Sequence, residues 1–401
     1  MDSRHFLFLQ GLPGPSMRLI ARQLEQGLHR VSRINCNGGD LADWGWSGLF
    51  YRGSCNAFGS WVSALCHKRG VTDIVLFGDE RPLHRAAIAA ARELGLDVHV
   101  LDEGYLRPNS VAIEFWRNGL PWQAPRSLSE CAARGRDSLP EAAIASRFSR
   151  RLSEAMTYGL WTVLLTPLFP RYRSHRPSSP LVEALLWVRR TIWRRDEQRR
   201  SRAALAALGE APFFLFPLQL DGDAQLQHRS SFPTMAAAAE QIMASFARTA
   251  PGHISLVIKR HPFDPDRLGW RRLIGEAGAR FGIGARLHFA EFADLDRLLD
   301  RCLGVITVNS TVGGLALRRG KPVHVLGEAL YAMPGLASQG DPDRFWSAPE
   351  PIEPDAYAQF SRALNSECLV NAGFHSRDGL ARLAVLAADR LVTPPYSGQP
   401  C

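Results

Sequence analysis

Short apolar runs alternate along the chain with segments in which apolar residues recur every three or four positions. The first pattern belongs to buried strands and the second to helices with one face on a core. HFLFLQG, from residue 5, is an apolar run that breaks at a Gly/Pro turn, and MRLIARQLEQGLH follows with helical spacing. HRVSRIN, GSWVSALCHKRG, TDIVLFGD, RAAIAAARELG and DVHVLDEG continue the strand and helix alternation to about residue 104. A second series opens at APFFLFPLQ and runs through TMAAAAEQIMASFART, ISLVIKRHP, a helical stretch over 270–281, RLHFAEF, LDRLLDRC, GVITVN, GGLALRRG and PVHVLG. Strands separated by single helices predict parallel sheets covered on both faces. The fold class expected is therefore α/β, with two Rossmann-like doubly wound units and a cleft between them, their ligand-facing loops at the carboxyl ends of the strands.

Length agrees, because 401 residues of which 46% are hydrophobic exceed what one core serves. The expected division is an N-terminal unit over 1–125, a basic helical insertion over 126–210 and a second Rossmann-like unit over 211–370. A C-terminal helix and tail over 371–401 has the N-terminal unit as its candidate packing partner.

The insertion changes the picture of charge. Lys and Arg outnumber Asp and Glu by 48 to 39, a net charge of +9, and much of the excess falls in LVEALLWVRRTIWRRDEQRRSRAALAAL. There Trp187 and Trp193 are interleaved with Arg189, Arg190, Arg194 and Arg195. A solvated linker helix and a membrane-surface helix both fit, with the tryptophans at the headgroup level and the arginines on anionic lipid. Nucleic acid fits least, since no recognition module accompanies the charge. No stretch is long and apolar enough for a span, and MDSRHFLFLQGLPGP lacks the regions of a signal peptide, so a cytoplasmic location is expected. The seven cysteines are scattered without a CxxC pair, which predicts reduced packing residues and no zinc site.

Candidate chemistry collects where strands end. GVITVN stops at Asn309, Ser310 and Thr311 and passes through Gly313 and Gly314 into a helix, the arrangement in which amides and hydroxyls meet a phosphate. An ordinary N-cap has the same sequence. ISLVIKRHP ends at Lys259, Arg260, His261 and Pro262, and the proline holds His261 extended, beside two cations suited to a departing phosphate. In the first series Asp79, Arg81 and His84 follow one strand, and Asp102, Glu103, Tyr105 and Arg107 follow the next. Such carboxylates are either a general base or nucleophile, or half of an ion-pair network with Arg81 and Arg107.

FLQGLPGP, RINCNGGD, TDIVLFGDERPLHRAA, DEGYLRP, PRYRSHRP, FPLQLDGDAQLQHRSSF, KRHP and NSTVGGLALRRGKPVHVLGEALY occur in this order over residues 6–340. In this combination the chain resembles the capsular polysaccharide biosynthesis proteins of the KpsS/LipB type. The resemblance implies a GT-B glycosyltransferase that moves β-linked Kdo from CMP-Kdo to a phosphatidylglycerol-type lipid, retaining configuration and needing no metal or other cofactor. It further implies work at the inner face of the cytoplasmic membrane, with other capsule-assembly proteins as candidate partners. By position, His261 and Pro262 resemble the family's HP motif and Ser310 and Thr311 its Ser/Thr motif. Lys259, Asn309, Gly313, Gln219 and Asp223 join the expected donor set. Glu103 matches the acidic residue of an E-(D/E)-G-aromatic-x-R motif and is the leading catalytic candidate, with Asp79 and His84 beside it. Gly11, Gly14, Asp40, Arg81, Tyr105 and Arg107 make up the acceptor side. The alternatives are a UDP-sugar transferase or epimerase on the same architecture, and a capsule-export adaptor without catalysis.

Overall fold

The computed structural model describes residues 3–136, 142–144, 147–174, 180–221, 226 and 230–395. The chain forms two compact units. The first gathers 1–124, 134–175 and 362–401, and the second 125–133 and 176–361.

The first unit is built on a seven-stranded sheet of β1 (His5–Phe8), β2 (Arg30–Asn35), β3 (Leu49–Phe50), β4 (Asp73–Phe77), β5 (Asp97–Glu103), β6 (Val111–Trp116) and β13 (Leu369–Val370). Their order is β3-β2-β1-β4-β5-β6-β13. The pairs from β3 to β5 are parallel, whereas β6 runs antiparallel to β5, and β13 antiparallel to β6. Both faces are covered. In β1, Phe6 and Phe8 enter one core with Met17, Ile20 and Leu24 of α1 (Ser16–Gln26), while Leu7, with Leu9 just after the strand, enters another with Phe58 and Val62 of α3 (Phe58–Arg69) and Ile88 of α4 (Pro82–Leu94). Alternate side chains of one strand thus feed two cores, which is why the run reads as continuously apolar. Among the elements outside the sequence pattern are antiparallel β6 and the short α2 (Gly38–Trp44). A Cβ on Gly38 would strike the Trp161 carbonyl of α6 (Phe148–Leu164), and one on Gly39 would strike the Tyr158 ring. The glycine pair of RINCNGGD is what lets α2 and α6 touch.

In the second unit, β7 (Phe213–Pro217), β8 (Ser255–Lys259), β9 (Leu287–Ala290), β10 (Gly304–Thr307), β11 (Val323–Val325) and β12 (Ser338–Gln339) form a parallel sheet. Its order, β9-β8-β7-β10-β11-β12, repeats that of the first sheet from β3 to β6. The crossover helices are α8 (Met235–Thr249), α9 (Trp270–Arg280), α10 (Leu295–Arg301) and α11 (Thr311–Arg318). Phe214, Phe216, Ile258, Trp270 and Trp346 fill one large core.

The expected insertion is divided between the units. α5 (Leu128–Arg134) falls mostly to the second unit and α6 to the first, and α7 (Pro180–Leu208) packs on β9 in the second. The return crossing lies within α12 (Ala356–Glu367). α13 (Arg377–Val392) then packs on α1, contributing Leu383, Ala387 and Leu391 to the first unit's core. Cys36, Cys66, Cys131, Cys302 and Cys368 are buried free thiols, and Cys55 is exposed. No helix among the described residues is long and apolar enough to cross a membrane.

Candidate functional site

In a doubly wound sheet, ligands bind outside the carboxyl ends of the strands where the crossover direction reverses. In the second unit this reversal lies between β7 and β10, since β7, β8 and β9 proceed one way and β10, β11 and β12 the other. Gln219 and Asn309 follow those two strands and bridge the gap. The Gln219 amide nitrogen donates to Asn309 Oδ1 at 2.7 Å, and the Asn309 backbone N–H returns a bond to Gln219 Oε1 at 3.1 Å. With Gln219 4% and Asn309 9% exposed, this clamp positions the turn from within.

From the clamp the chain passes into α11. Ser310 Oγ caps the helix by accepting from the Val312 amide at 3.2 Å. The Thr311 amide and hydroxyl have no hydrogen-bond partner among the described residues and lie at the positive end of the helix. Gly313 differs from expectation. A Cβ there would collide with the buried Tyr331, whose hydroxyl donates to the Ser310 carbonyl. Its missing side chain makes room for an aromatic ring that braces the turn, and the neighbour it admits is no ligand.

The neighbouring strand β8 delivers the other half. Burial, with Arg190 and Arg260 as positive neighbours, pushes the Lys259 ammonium down to about 8. Arg260 is turned inward at 1% exposure and is held by Glu197 of α7 at 3.2 and 2.6 Å. It is therefore a structural ion pair and not the phosphate contact the basic pair suggested. His261 is half-buried, and the Phe263 amide donates to its Nδ1 at 3.1 Å, which places the ring proton of the neutral form on Nε2. The loop that follows is tied down. Arg190 donates to the carbonyls of Pro262 at 2.6 Å and Asp264 at 3.0 Å, and the Trp270 indole donates to Asp264 at 2.7 Å.

This corrects the reading of the α7 arginines as one lipid-facing group. Arg190 is 7% exposed, stacks over Trp187 and Phe292 and fastens the HP loop. Arg189, Arg194, Arg195 and Trp193 do lie on the exposed side, together with Leu185, Val188 and Ile192, and Trp187 is half-buried. Asp223 lies outside the described residues. Its companion Asp221 accepts from the Met235 amide at 2.8 Å, at the start of α8. Among the described residues no group of three His, Cys, Asp or Glu side chains is arranged to hold a metal.

In the first unit the reversal lies between β1 and β4. Arg81, just past β4, donates to the carbonyl of Gly11, just past β1, at 3.2 Å, and so spans it. The Gly14 amide donates to Asp43 at 2.9 Å, and burial raises the Asp43 carboxyl to about 7. Asp79 is half-buried with no ion-pair or hydrogen-bond partner among the described residues. His84, expected beside it in catalysis, is fully buried, with Nδ1 2.6 Å from the Gly78 carbonyl, and braces the β4 turn. Asp40 is likewise withdrawn from any acceptor. It is fully buried and accepts from Gln10, Arg33, Tyr158 and the Cys36 amide at 2.9–3.3 Å.

At the end of β5, Glu103 receives Arg107 on Oε2 and Arg151 of α6 on Oε1, each at 2.6 Å. Burial opposes its charge, but Arg107, Arg151 and His375 outweigh burial and hold the carboxyl below its usual range. Beside it, burial pushes Asp102 up to about 7, despite the Glu103 amide that donates to it at 2.7 Å. One carboxylate is thus firmly ionised and its neighbour titrates near neutrality, a separation that favours distinct chemical roles. Tyr105 has its hydroxyl committed to Glu114. Arg151 is the member of this group that sequence reasoning missed. It sits in the helical span taken for an insertion, and no local spacing relates it to Glu103.

Two units of doubly wound α/β type, each with polar residues gathered at its reversal point, define a twin-Rossmann protein of the GT-B class. Residues 72–375 match the capsule polysaccharide biosynthesis protein family, and the chain belongs to that family. Among curated relatives, it is 30% identical over 383 residues to the Escherichia coli capsule polysaccharide export protein KpsS, covering 94% of this chain and 98% of that one. The Neisseria meningitidis capsule polysaccharide modification protein LipB is 25% identical over 394 residues, with 94% and 93% covered. Among solved structures, the Thermosulfurimonas dismutans KpsC β-Kdo 2,7 transferase aligns over 96% of this chain and 100% of its own, at 14% identity and a TM-score of 0.49.

Proposed function

We propose that the protein is a glycosyltransferase that moves β-Kdo from CMP-Kdo to a phosphatidylglycerol-type acceptor at a membrane surface. The observation that carries this reading is the reversal point of the second sheet. There the Gln219–Asn309 clamp, the uncommitted Thr311 amide and the HP turn with Lys259 occupy the ends of three adjacent strands. A helix N-terminus, an ammonium and an imidazole N–H together suit one departing phosphate, as a nucleoside monophosphate leaving group requires. In this reading Lys259 and His261 stabilise the leaving CMP, and no divalent ion is needed.

The first unit takes the acceptor, with Glu103 as the catalytic carboxylate. Held ionised by Arg107 and Arg151, it is suited to stabilising positive charge at the anomeric carbon or to forming a transient bond there, which a retained β configuration calls for. Asp102, titrating near neutrality, is suited to exchanging the acceptor proton. The exposed Trp193, Leu185, Val188 and Ile192 beside Arg189, Arg194 and Arg195 support reversible attachment to anionic lipid.

The test is incubation with a CMP-Kdo generating system and a fluorescent phosphatidylglycerol analogue, with the lipid then weighed by mass spectrometry. Addition of one Kdo, abolished in Glu103→Gln, is the expected result. No added sugar, or tighter binding of UDP than of CMP, would overturn the reading.

A further inference from the structure

Residues 171–174 of the PRYRSHRP motif have no part in the donor site, yet they line a cavity of the first unit. This cavity, of about 210 Å³, is bordered by Arg81, Arg171, Arg173, Gln10, Tyr172 and Ser174, and no Asp or Glu is among its lining residues. It adjoins the reversal point between β1 and β4, because Gln10 and Arg81 follow those two strands.

The local chain explains how the cations come to be there. Phe169, 2% exposed, stacks on Phe50 with ring centroids 5.8 Å apart. Three residues on, Tyr172 packs against the α3 and α4 core and accepts from the Gln10 amide at 3.5 Å. With Phe169 and Tyr172 anchored, Arg171 and Arg173 are left exposed on either side of the tyrosine, at the cavity. Neither has an ion-pair or hydrogen-bond partner among the described residues. Their positive charge meets no carboxylate among the residues that line the cavity. Pro82 and Leu83, which also line it, open α4 without a side-chain cap, and so turn the positive end of a helix toward the same space.

We propose that this cavity binds the phosphodiester of the acceptor, with Arg171 and Arg173 as its principal ligands and Arg81 as a third. The assignment rests on the acceptor being an anionic phospholipid, as read above. Guanidinium forks match phosphate oxygens in pairs, which makes Arg the residue suited to this task. At about 210 Å³ the cavity lies below the ~300–1,000 Å³ of pockets that enclose larger ligands, in keeping with a headgroup.

The experiment is calorimetric titration of the full chain with glycerophosphoglycerol, with inorganic phosphate and with CMP, repeated on Arg171→Gln/Arg173→Gln and on the corresponding Lys pair. Wild type should bind glycerophosphoglycerol more tightly than phosphate. The Gln pair should lose at least tenfold in that affinity while keeping wild-type CMP affinity, which also reports that the chain is folded, and the Lys pair should recover part of the loss. Equal affinity for phosphate and the diester would overturn the headgroup assignment. Undetectable binding of both, or unchanged binding in the Gln pair, would overturn the site. Diester binding lost in the Gln pair, without any Kdo transfer by wild type, supports the site and removes the transferase reading. Transfer to phosphatidylglycerol that the Gln pair leaves untouched removes the site and keeps that reading.

Discussion

Replacing Glu197 by Ala tests whether α7 is part of the second unit's interior or a solvated helix lying on it. The substitution removes both oxygens that Arg260 meets at 3.2 and 2.6 Å, and Arg260 is 1% exposed. What remains is Asp266, 3.6 Å away and half-buried. Breaking a buried pair by deleting one partner costs about 3–5 kcal/mol, and the surviving Asp266 contact puts the expected value near the lower end, about 3 kcal/mol. Because a chain of two compact units need not unfold in one transition, the measurement should be local. Hydrogen exchange of β7, β8 and β9 amides should speed up by about a hundredfold, given a factor of ten for every ~1.4 kcal/mol. The first unit's amides supply the internal control. Exchange in the double substitution Glu197→Ala/Arg260→Met should return most of the way, since no buried charge is then left unpaired. A change below about threefold in the single variant would refute the reasoning, because a solvated helix face tolerates such a substitution.

Lys259, half-protonated near pH 8 in the free protein, should take up protons when CMP binds, because a phosphate beside an ammonium raises its pKa. Calorimetry at pH 8 in buffers of different ionisation enthalpy should report uptake of up to about half a proton, and proton release would contradict the placement. Gly313→Ala should cost about 1–3 kcal/mol and weaken CMP binding, because the new methyl displaces the buried Tyr331 that braces Ser310. Thermal unfolding with and without CMP checks both effects. Changing Arg194 and Arg195 to Gln while keeping Arg190, and Arg189 whose guanidinium donates to the Asp266 carbonyl at 2.7 Å, should weaken binding to phosphatidylglycerol vesicles in a sedimentation assay, each charge contributing roughly 1 kcal/mol. CMP affinity should stay at wild type, and Arg190→Gln alone should do the reverse.

The sheets were legible because each strand buries both faces and each crossover helix keeps its 3.6-residue period, so the alternation survives in the letters. β6 escaped notice because VAIEFW places a polar Glu114 inside its run, and that side chain finds partners in Tyr105 and Trp116. The donor motifs were legible as short strings at strand ends. Which of their members point inward was not. Arg260 and Lys259 are adjacent letters of one basic pair, yet the pleat sends Arg260 to Glu197. On α7 the buried stripe runs through Arg190, Glu197 and Ser201 before Leu208 closes it, and the polar part is a seam that a search for apolar faces assigns to solvent. His84 read as catalytic and Asp40 as an acceptor contact because they are polar residues beside strand ends, and only tertiary partners distinguish a satisfied interior group from a reactive one.

The return of β13 and α13 to the first unit has a consequence for synthesis. A ribosome releases the β1 to β6 segment long before it releases the helix that covers Leu24 and Ile20 of α1. Until residue 392 emerges, that apolar face has no lid, while every strand of the second unit is complete by residue 339. The unit whose first six strands are made first is therefore the one finished last, and its nascent form is the species most in need of a chaperone.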